Sequence, residues 1–208
     1  MQLSEVITYV QRLFGDENEI QIQVDDIITW ADEGQKEIAR QTECLQKEAV
    51  FDYNPVGFTG FQLPLDFISA KRVTYEGLPL RQTIITDLDN IGIEVDNSDA
   101  TGISPTMYYF WGNKISIFPE PRLASVQKFK LFYVALPPQL NQISDALTIP
   151  SNMHNDVRRF VLMRARELNE DSNEVSRIEQ QLSARMADSK YEMWNPSSNT
   201  YPSVRPYD

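Results

Sequence analysis

The apolar residues of this chain change period twice, and that change limits its fold more than any other feature. Leu3, Val6, Ile7, Val10, Leu13 and Phe14 recur at the spacing that lines one face of a helix, and Gly15-Asp16 ends the run. A second helix opens near Asp25-Asp26, two carboxylates suited to cap free amides and to meet the positive end of a helix dipole. Ile27, Ala31, Gly34, Ile38, Thr42 and Leu45 then share one face. A mid-helix glycine costs about 1 kcal/mol relative to alanine. Small Ala31 and Gly34 therefore point to a closely approaching helix, from this chain or from another copy.

From about residue 48 the helical period is gone. Ala49–Tyr53 reads as a short strand broken by Asn54-Pro55 and Gly57, and Phe61-Gln62-Leu63 as a second, ended by Pro64. Ile68–Tyr75 and Leu78–Gln82 flank Glu76-Gly77, a two-residue hairpin turn. Residues 86–105 are polar and read as a loop with one helical turn. Thr106–Trp111 and Lys114–Phe118 are joined by Gly112-Asn113, residue types that accept positive φ. Pro119-Glu120-Pro121 breaks the ladder before a last strand, Lys128–Ala135, with Phe129, Leu131 and Tyr133 on one face.

The helical period returns after Pro137-Pro138. Ile149-Pro150-Ser151 opens a third helix with Ser151 as its cap, and Val157, Phe160, Val161, Arg164, Ala165 and Leu168 form its inner stripe. A fourth carries Val175, Ile178, Leu182 and Met186. The expected fold is therefore α+β. Residues 1–48 and 148–190 form a helical bundle, residues 49–147 an inserted antiparallel β module, and residues 191–208 an extended C-terminal arm. That arm holds three prolines, three serines and three tyrosines besides Trp194, too little to build a core alone. It reads either as an anchor for aromatic rings in a partner's pockets or as a frayed terminus.

A chain of 208 residues fits one modest domain or a core with an insertion. No apolar run approaches the roughly 20 residues that span a bilayer. The first twenty residues carry Glu5, Asp16, Glu17 and Glu19 and show no secretory signal. The formal charge of −11 is concentrated at the start, where residues 1–48 hold eleven Asp and Glu against four Lys and Arg. Affinity for phosphate backbones comes mainly from Lys and Arg displacing counterions, so site-specific DNA binding is not expected. The same acidity suits a surface past which DNA must slide.

Chemistry motifs are sparse. Asp87, Asp89 and Gly92 match the first, third and sixth positions of a calcium loop, but Ile91 and Ser98 stand where ligands are essential. His154 has neither an orienting partner nor a nucleophile signature nearby and reads as a surface or interface histidine. Cys44 reads as a small, partly buried hydrophobe. Asp25-Asp26 are more economically caps than a general acid and base. No metal or other cofactor and no catalytic residue is assigned. Tyr108-Tyr109-Phe110-Trp111 suggests a sugar platform, although strand alternation divides these rings between two faces. Arg158, Arg159, Arg164 and Arg166 make the third helix basic, with Arg159 and Arg166 on one face. They serve either local salt bridges or the acidic N-terminal helices of a neighbouring subunit. On the second reading Asp25, Asp26, Arg158, Arg159 and Arg166 are subunit-interface candidates.

The order of landmarks carries more than any one of them. Leu63-Pro64-Leu65-Asp66-Phe67 precedes the hairpin Ile68–Leu80; Thr101-Gly102 and Pro105 lead into Tyr108-Tyr109; Gly112-Asn113 is followed by Ile115-Ser116-Ile117-Phe118-Pro119-Glu120-Pro121. Lys130-Leu131-Phe132-Tyr133 and Ile149-Pro150 with His154 complete the series. This succession resembles the head-to-tail adaptor (connector) proteins of tailed bacteriophages, and the layout is similar to that of the tail tubular A proteins of short-tailed phages. The resemblance implies a structural virion protein, not an enzyme, made in the host bacterial cytoplasm and placed in the neck between portal and tail. It implies a homo-oligomeric ring, usually of twelve copies, bound to the portal and to a downstream tail or nozzle protein. DNA would pass through its channel during genome ejection without specific binding, and no membrane is involved. Tyr191, Trp194, Tyr201 and Tyr207 become portal-contact candidates. Glu76, Gly77, Gly112 and Asn113 become candidates for the distal tail contact. Rival readings are another tail-completion or nozzle component, and a carbohydrate-binding or hydrolytic module built on the acidic loop and aromatic strand.

Overall fold

Residues 1–15, 22–90, 104–121, 125–168 and 172–194 are described by the computed structural model. In chain order they form α1 (Leu3–Phe14), α2 (Val24–Thr42), β1 (Gln46–Tyr53), β2 (Phe61–Gln62), β3 (Phe67–Tyr75), β4 (Leu78–Pro79), β5 (Arg81–Gln82) and α3 (Ile85–Asn90). Then follow β6 (Met107–Trp111), β7 (Lys114–Phe118), β8 (Ser125–Ala135), a 3₁₀ turn (Ser151–Met153), α4 (His154–Leu168) and α5 (Ser172–Trp194). The fold is α+β. Met1–Leu45 and Leu136–Asp208 make one compact unit, and Gln46–Ala135 makes the other.

In the helical unit, Leu3, Val6, Ile7 and Val10 are buried, and Gly15 ends α1 in the left-handed conformation. The apolar stripe is narrower than its spacing predicts, because Leu13 is 48% exposed. Asp25 and Asp26 are not caps: α2 begins at Val24, so both lie inside its first turn, where they still meet the dipole. Ile27, Ala31, Gly34, Ile38 and Thr42 are buried along one face. The helix that Gly34 admits is α4 of the same chain. A Cβ at Gly34 would sit 2.8 Å from Cδ1 of Phe160.

Ser151 does not cap α4 either. It is exposed in the 3₁₀ turn, and α4 starts three residues later at His154. Val157, Phe160, Val161 and Ala165 are buried as their spacing predicts, together with Met163, whereas Leu168 is 58% exposed. Asp156 is buried as well; its Oδ1 accepts a hydrogen bond from Arg185 Nε at 2.6 Å and so ties α4 to α5. Ile178, Leu182 and Met186 complete the core from α5. That helix runs on to Trp194, so the stretch expected to be extended from residue 191 begins as helix.

Residues 136–149 lie on the helical unit as a strap. Asp32 Oδ1 accepts the Leu140 amide at 3.0 Å, and Gln35 Nε2 donates to the Pro138 carbonyl at 2.9 Å. The far end pairs with the N-terminus through Leu3 N to Asp145 O (2.8 Å) and Leu147 N to Met1 O (3.1 Å).

The second unit holds two four-stranded sheets, ordered β1-β8-β3-β4 and β2-β7-β6-β5. Their facing sides meet through rings: Phe61 stacks on Phe129 with centroids 4.3 Å apart, and Phe67 lies 5.7 Å from Phe110. Such pairs contribute about 0.5–1.5 kcal/mol beyond the area they bury. On the other face of β6 and β7, Leu88 of α3 packs with Tyr109 and Phe118. Strand alternation thus separates the aromatic run: Tyr108 and Phe110 form one edge-to-face pair, while Tyr109 is buried beside α3. Leu78–Gln82, expected as one strand, divides between the sheets. Leu78 and Pro79 pair with β3, and after Leu80 the chain pairs Arg81 and Gln82 in parallel with β6. Glu76 (φ 51°) and Gly77 (φ 84°) both adopt positive φ, as a type I′ hairpin requires.

Candidate interaction surfaces

The two turns singled out as distal contacts lie at opposite ends of the β unit. β1 and β3 both run antiparallel to β8, which places Gln46, Phe67 and Ala135 at one end and Tyr53, Tyr75 and Glu76 at the other. β2 and β7 register the second sheet on the first. The Leu63 amide donates to Asn113 O at 3.1 Å, just before the chain enters β3, and Tyr53 OH donates to Pro121 O at 2.7 Å, just beyond β7. Gly112-Asn113 therefore shares the end at which the chain enters and leaves the unit. Glu76-Gly77 sits at the far end, where Glu76 pairs with Lys128 and Leu78 is 62% exposed.

Beside Gly112-Asn113 the structure presents apolar side chains that the turn chemistry alone did not single out. Trp111 is 65% exposed and Leu65 fully so. The Leu65 turn is rigidly held: Asp66 accepts hydrogen bonds from Lys47 Nζ (2.6 Å) and Tyr133 OH (3.0 Å), and the Phe67 amide closes back on Pro64 O at 3.0 Å. Burial alone would raise the Asp66 carboxyl, but the bonds from Lys47 and Tyr133 and the Lys47 charge outweigh it and hold the group below its usual range. Burial, reinforced by the same carboxylate, pushes Tyr133 up to about 12.

On the helical unit, Asp25 and Asp26 are exposed on the first turn of α2. The arginines of α4 all find contacts within the unit. Arg158 lies over the Tyr9 ring at 5.0 Å and 3.8 Å from Glu5; Arg159 is 3.8 Å from Asp156; Arg166 lies over Phe14 at 5.4 Å. Arg164 bonds Glu167 at 3.0 Å and lies 3.7 Å from Glu33. Arg159 and Arg164 remain 38% and 39% exposed, Arg158 only 25%, and the Nε atoms of Arg158, Arg164 and Arg166 are buried without a hydrogen-bond partner among the described residues. Arg158 also lines, with Ser4, Glu5, Thr8, Tyr9, Arg12 and Leu13, an open groove of about 520 Å³ along α1.

Tyr191 is 61% exposed in the last turns of α5, and Trp194 is its final residue. Tyr201 and Tyr207 lie outside the described residues. So do Gly92, Ile91 and Ser98 of the acidic loop, of which Asp87 occupies the first turn of α3. Among the described residues no group of three or more His, Cys, Asp or Glu is placed to hold a metal ion. His154 Nε2 lies 2.9 Å from the Ile149 carbonyl, a bond that fixes the entry to α4, and burial pushes its imidazole below the ordinary range. Burial pushes the Cys44 thiol up, away from the reactive thiolate. No described helix is long and apolar enough to cross a membrane.

A family model described as SU10 adaptor protein matches residues 1–205, and no curated protein matches the chain. The match spans both units, so the chain belongs to the SU10 adaptor protein family and has the structural role of a bacteriophage head-to-tail adaptor.

Proposed function

We propose that this member of the SU10 adaptor protein family closes into a ring, of about twelve copies, that joins the portal to the tail and surrounds the DNA exit channel. The observation that carries the proposal is the family match over residues 1–205, which takes in both units and the segment beyond α5. The charge supports it: a net −11 gives no long-range attraction to a passing duplex. In this reading the ring works by geometry and electrostatics, without turnover. It converts the portal outlet into a platform and leaves a path to which DNA does not adhere.

The helical unit supplies subunit contacts through the acidic turn of α2, at Asp25 and Asp26, and the arginine face of α4, at Arg158, Arg159 and Arg166. Unlike charges would set the register between copies. Tyr191, Trp194, Tyr201 and Tyr207 anchor the portal side, since aromatic side chains supply much contact area at little entropic cost. Of the two turns, Glu76-Gly77 is the better candidate for the distal tail contact, because it stands farthest from the chain's entry into and exit from its unit. Gly112-Asn113, with Leu65 and Trp111, would then meet a different neighbour.

Light scattering of the purified chain with and without its portal tests the proposal. A portal-dependent rise in mass equal to a ring of copies is expected. A chain that stays monomeric and leaves the portal's mass unchanged would overturn it.

A further inference from the structure

We infer that neighbouring copies meet edge to edge in the first sheet, the β1 edge of one copy lying against the β3 edge of the next. The inference rests on the ring reading and adds a contact that the helical surfaces do not provide.

It starts from the register. Glu48 pairs with Phe132 on one side of β8, and Arg72 pairs with the same Phe132 on the other. One row across the sheet therefore reads acid, aromatic, base, with both charged residues exposed and Phe132 half-buried between them. Among the described residues β1 is hydrogen-bonded on one side only, to β8. β3 is covered on its other side by β4 at Thr74 and Tyr75 and by the Leu80 amide on Val73 O, which leaves Ile68–Arg72 at an edge. Open strand edges template association unless something guards them.

The charges choose the partner. The β1 edge carries exposed Glu48 and Asp52, with Val50, 43% exposed, between them. On β3 the bulge between Ala70 and Arg72 leaves the consecutive Lys71 and Arg72 both exposed. Two β1 edges would repel each other, and so would two β3 edges, whereas β1 against β3 brings acid to base. That disfavours a two-fold pair and favours a head-to-tail contact, the kind that repeats around a ring. The directions agree: β1 and β3 run parallel, so copies related by rotation about a ring axis present these edges in the same sense. Glu48 already lies 2.9 Å from Lys130 of its own sheet, and the neighbour's Arg72 would extend that pair into a network. The β3 bulges, at Phe67/Ser69 and Ala70/Arg72, prevent a long continuous ladder, so side-chain charge makes most of the contact.

The test uses the full-length chain on portal-bearing particles, with the number of bound copies counted by mass. Glu48→Lys with Asp52→Lys is expected to lower bound copies at least tenfold, and Lys71→Glu with Arg72→Glu to do the same. All four reversals in one chain should restore binding to within about twofold, which no folding defect would do. A second arm places cysteines at Glu48→Cys and Arg72→Cys in one chain. Within a copy these positions are two strand spacings apart, about 10 Å, too far for a disulfide. Oxidation of the assembled particle should therefore give a ladder of linked copies. A wild-type ring with unaffected reversal variants, or with no ladder, overturns the edge contact and spares the ring. Wild-type chain that never assembles overturns the ring reading, and the edge contact with it.

Discussion

Gly34 of α2 lies against the ring of Phe160 of α4 so closely that a Cβ there would approach Cδ1 to 2.8 Å. The obstacle is the body of a buried aromatic side chain rather than a flexible tip. Gly34→Ala gains about 1 kcal/mol of helix propensity but forces α2 and α4 apart, at a cost of about 1–3 kcal/mol. Net destabilisation is expected from urea unfolding, and Phe160→Leu added to Gly34→Ala should recover part of it. A stabilised single variant would show that the helices have slack.

What the sequence disclosed follows from how local each determinant is. Glu76-Gly77 was legible as a hairpin because two adjacent residues at positive φ suffice to make the turn. The split of Leu78–Gln82 was not, since it depends on which sheet each residue joins. The strap was equally hidden: Leu140 is fixed by Asp32, more than a hundred residues away. Caps at Asp25 and Ser151 failed because each helix starts away from the expected residue, an offset that apolar spacing does not determine. Among the candidate contacts, turns could be read as turns, but their separation to opposite ends of a unit emerges only from strand register.

Acid should loosen the β unit through Asp66. Its folded carboxyl titrates below its unfolded value, so its contribution to stability is fully present above the unfolded pKa and is lost as pH falls through the folded one. His154, also lowered, adds a loss of the same sign at higher pH as its imidazole is forced to charge. Melting temperature measured from pH 7 to pH 3 should fall more steeply for wild type than for Asp66→Asn. Parallel curves would contradict this role of the Asp66 carboxylate.

Asp156→Ala should cost about 1.5–3 kcal/mol, the range for hydrogen bonds to charged groups. It leaves α5 without its Arg185 tie while the apolar contacts of Ile178 and Leu182 persist. Hydrogen exchange should therefore quicken in α5 before α2. Uniform acceleration would mean that the pair holds the whole unit.

Removing residues 191–208, which takes away Tyr191, Trp194, Tyr201 and Tyr207 together, should abolish binding to portal-bearing particles. Retained binding would contradict the portal role of these four residues.

The most direct measurement is a reconstruction of the virion neck with this chain labelled at Glu76-Gly77, the turn farthest from the chain crossings of its unit. A closed ring of this chain directly below the portal, with the label turned toward the tail, is expected. Label density anywhere but the exit vertex, or a single copy there, would contradict the account.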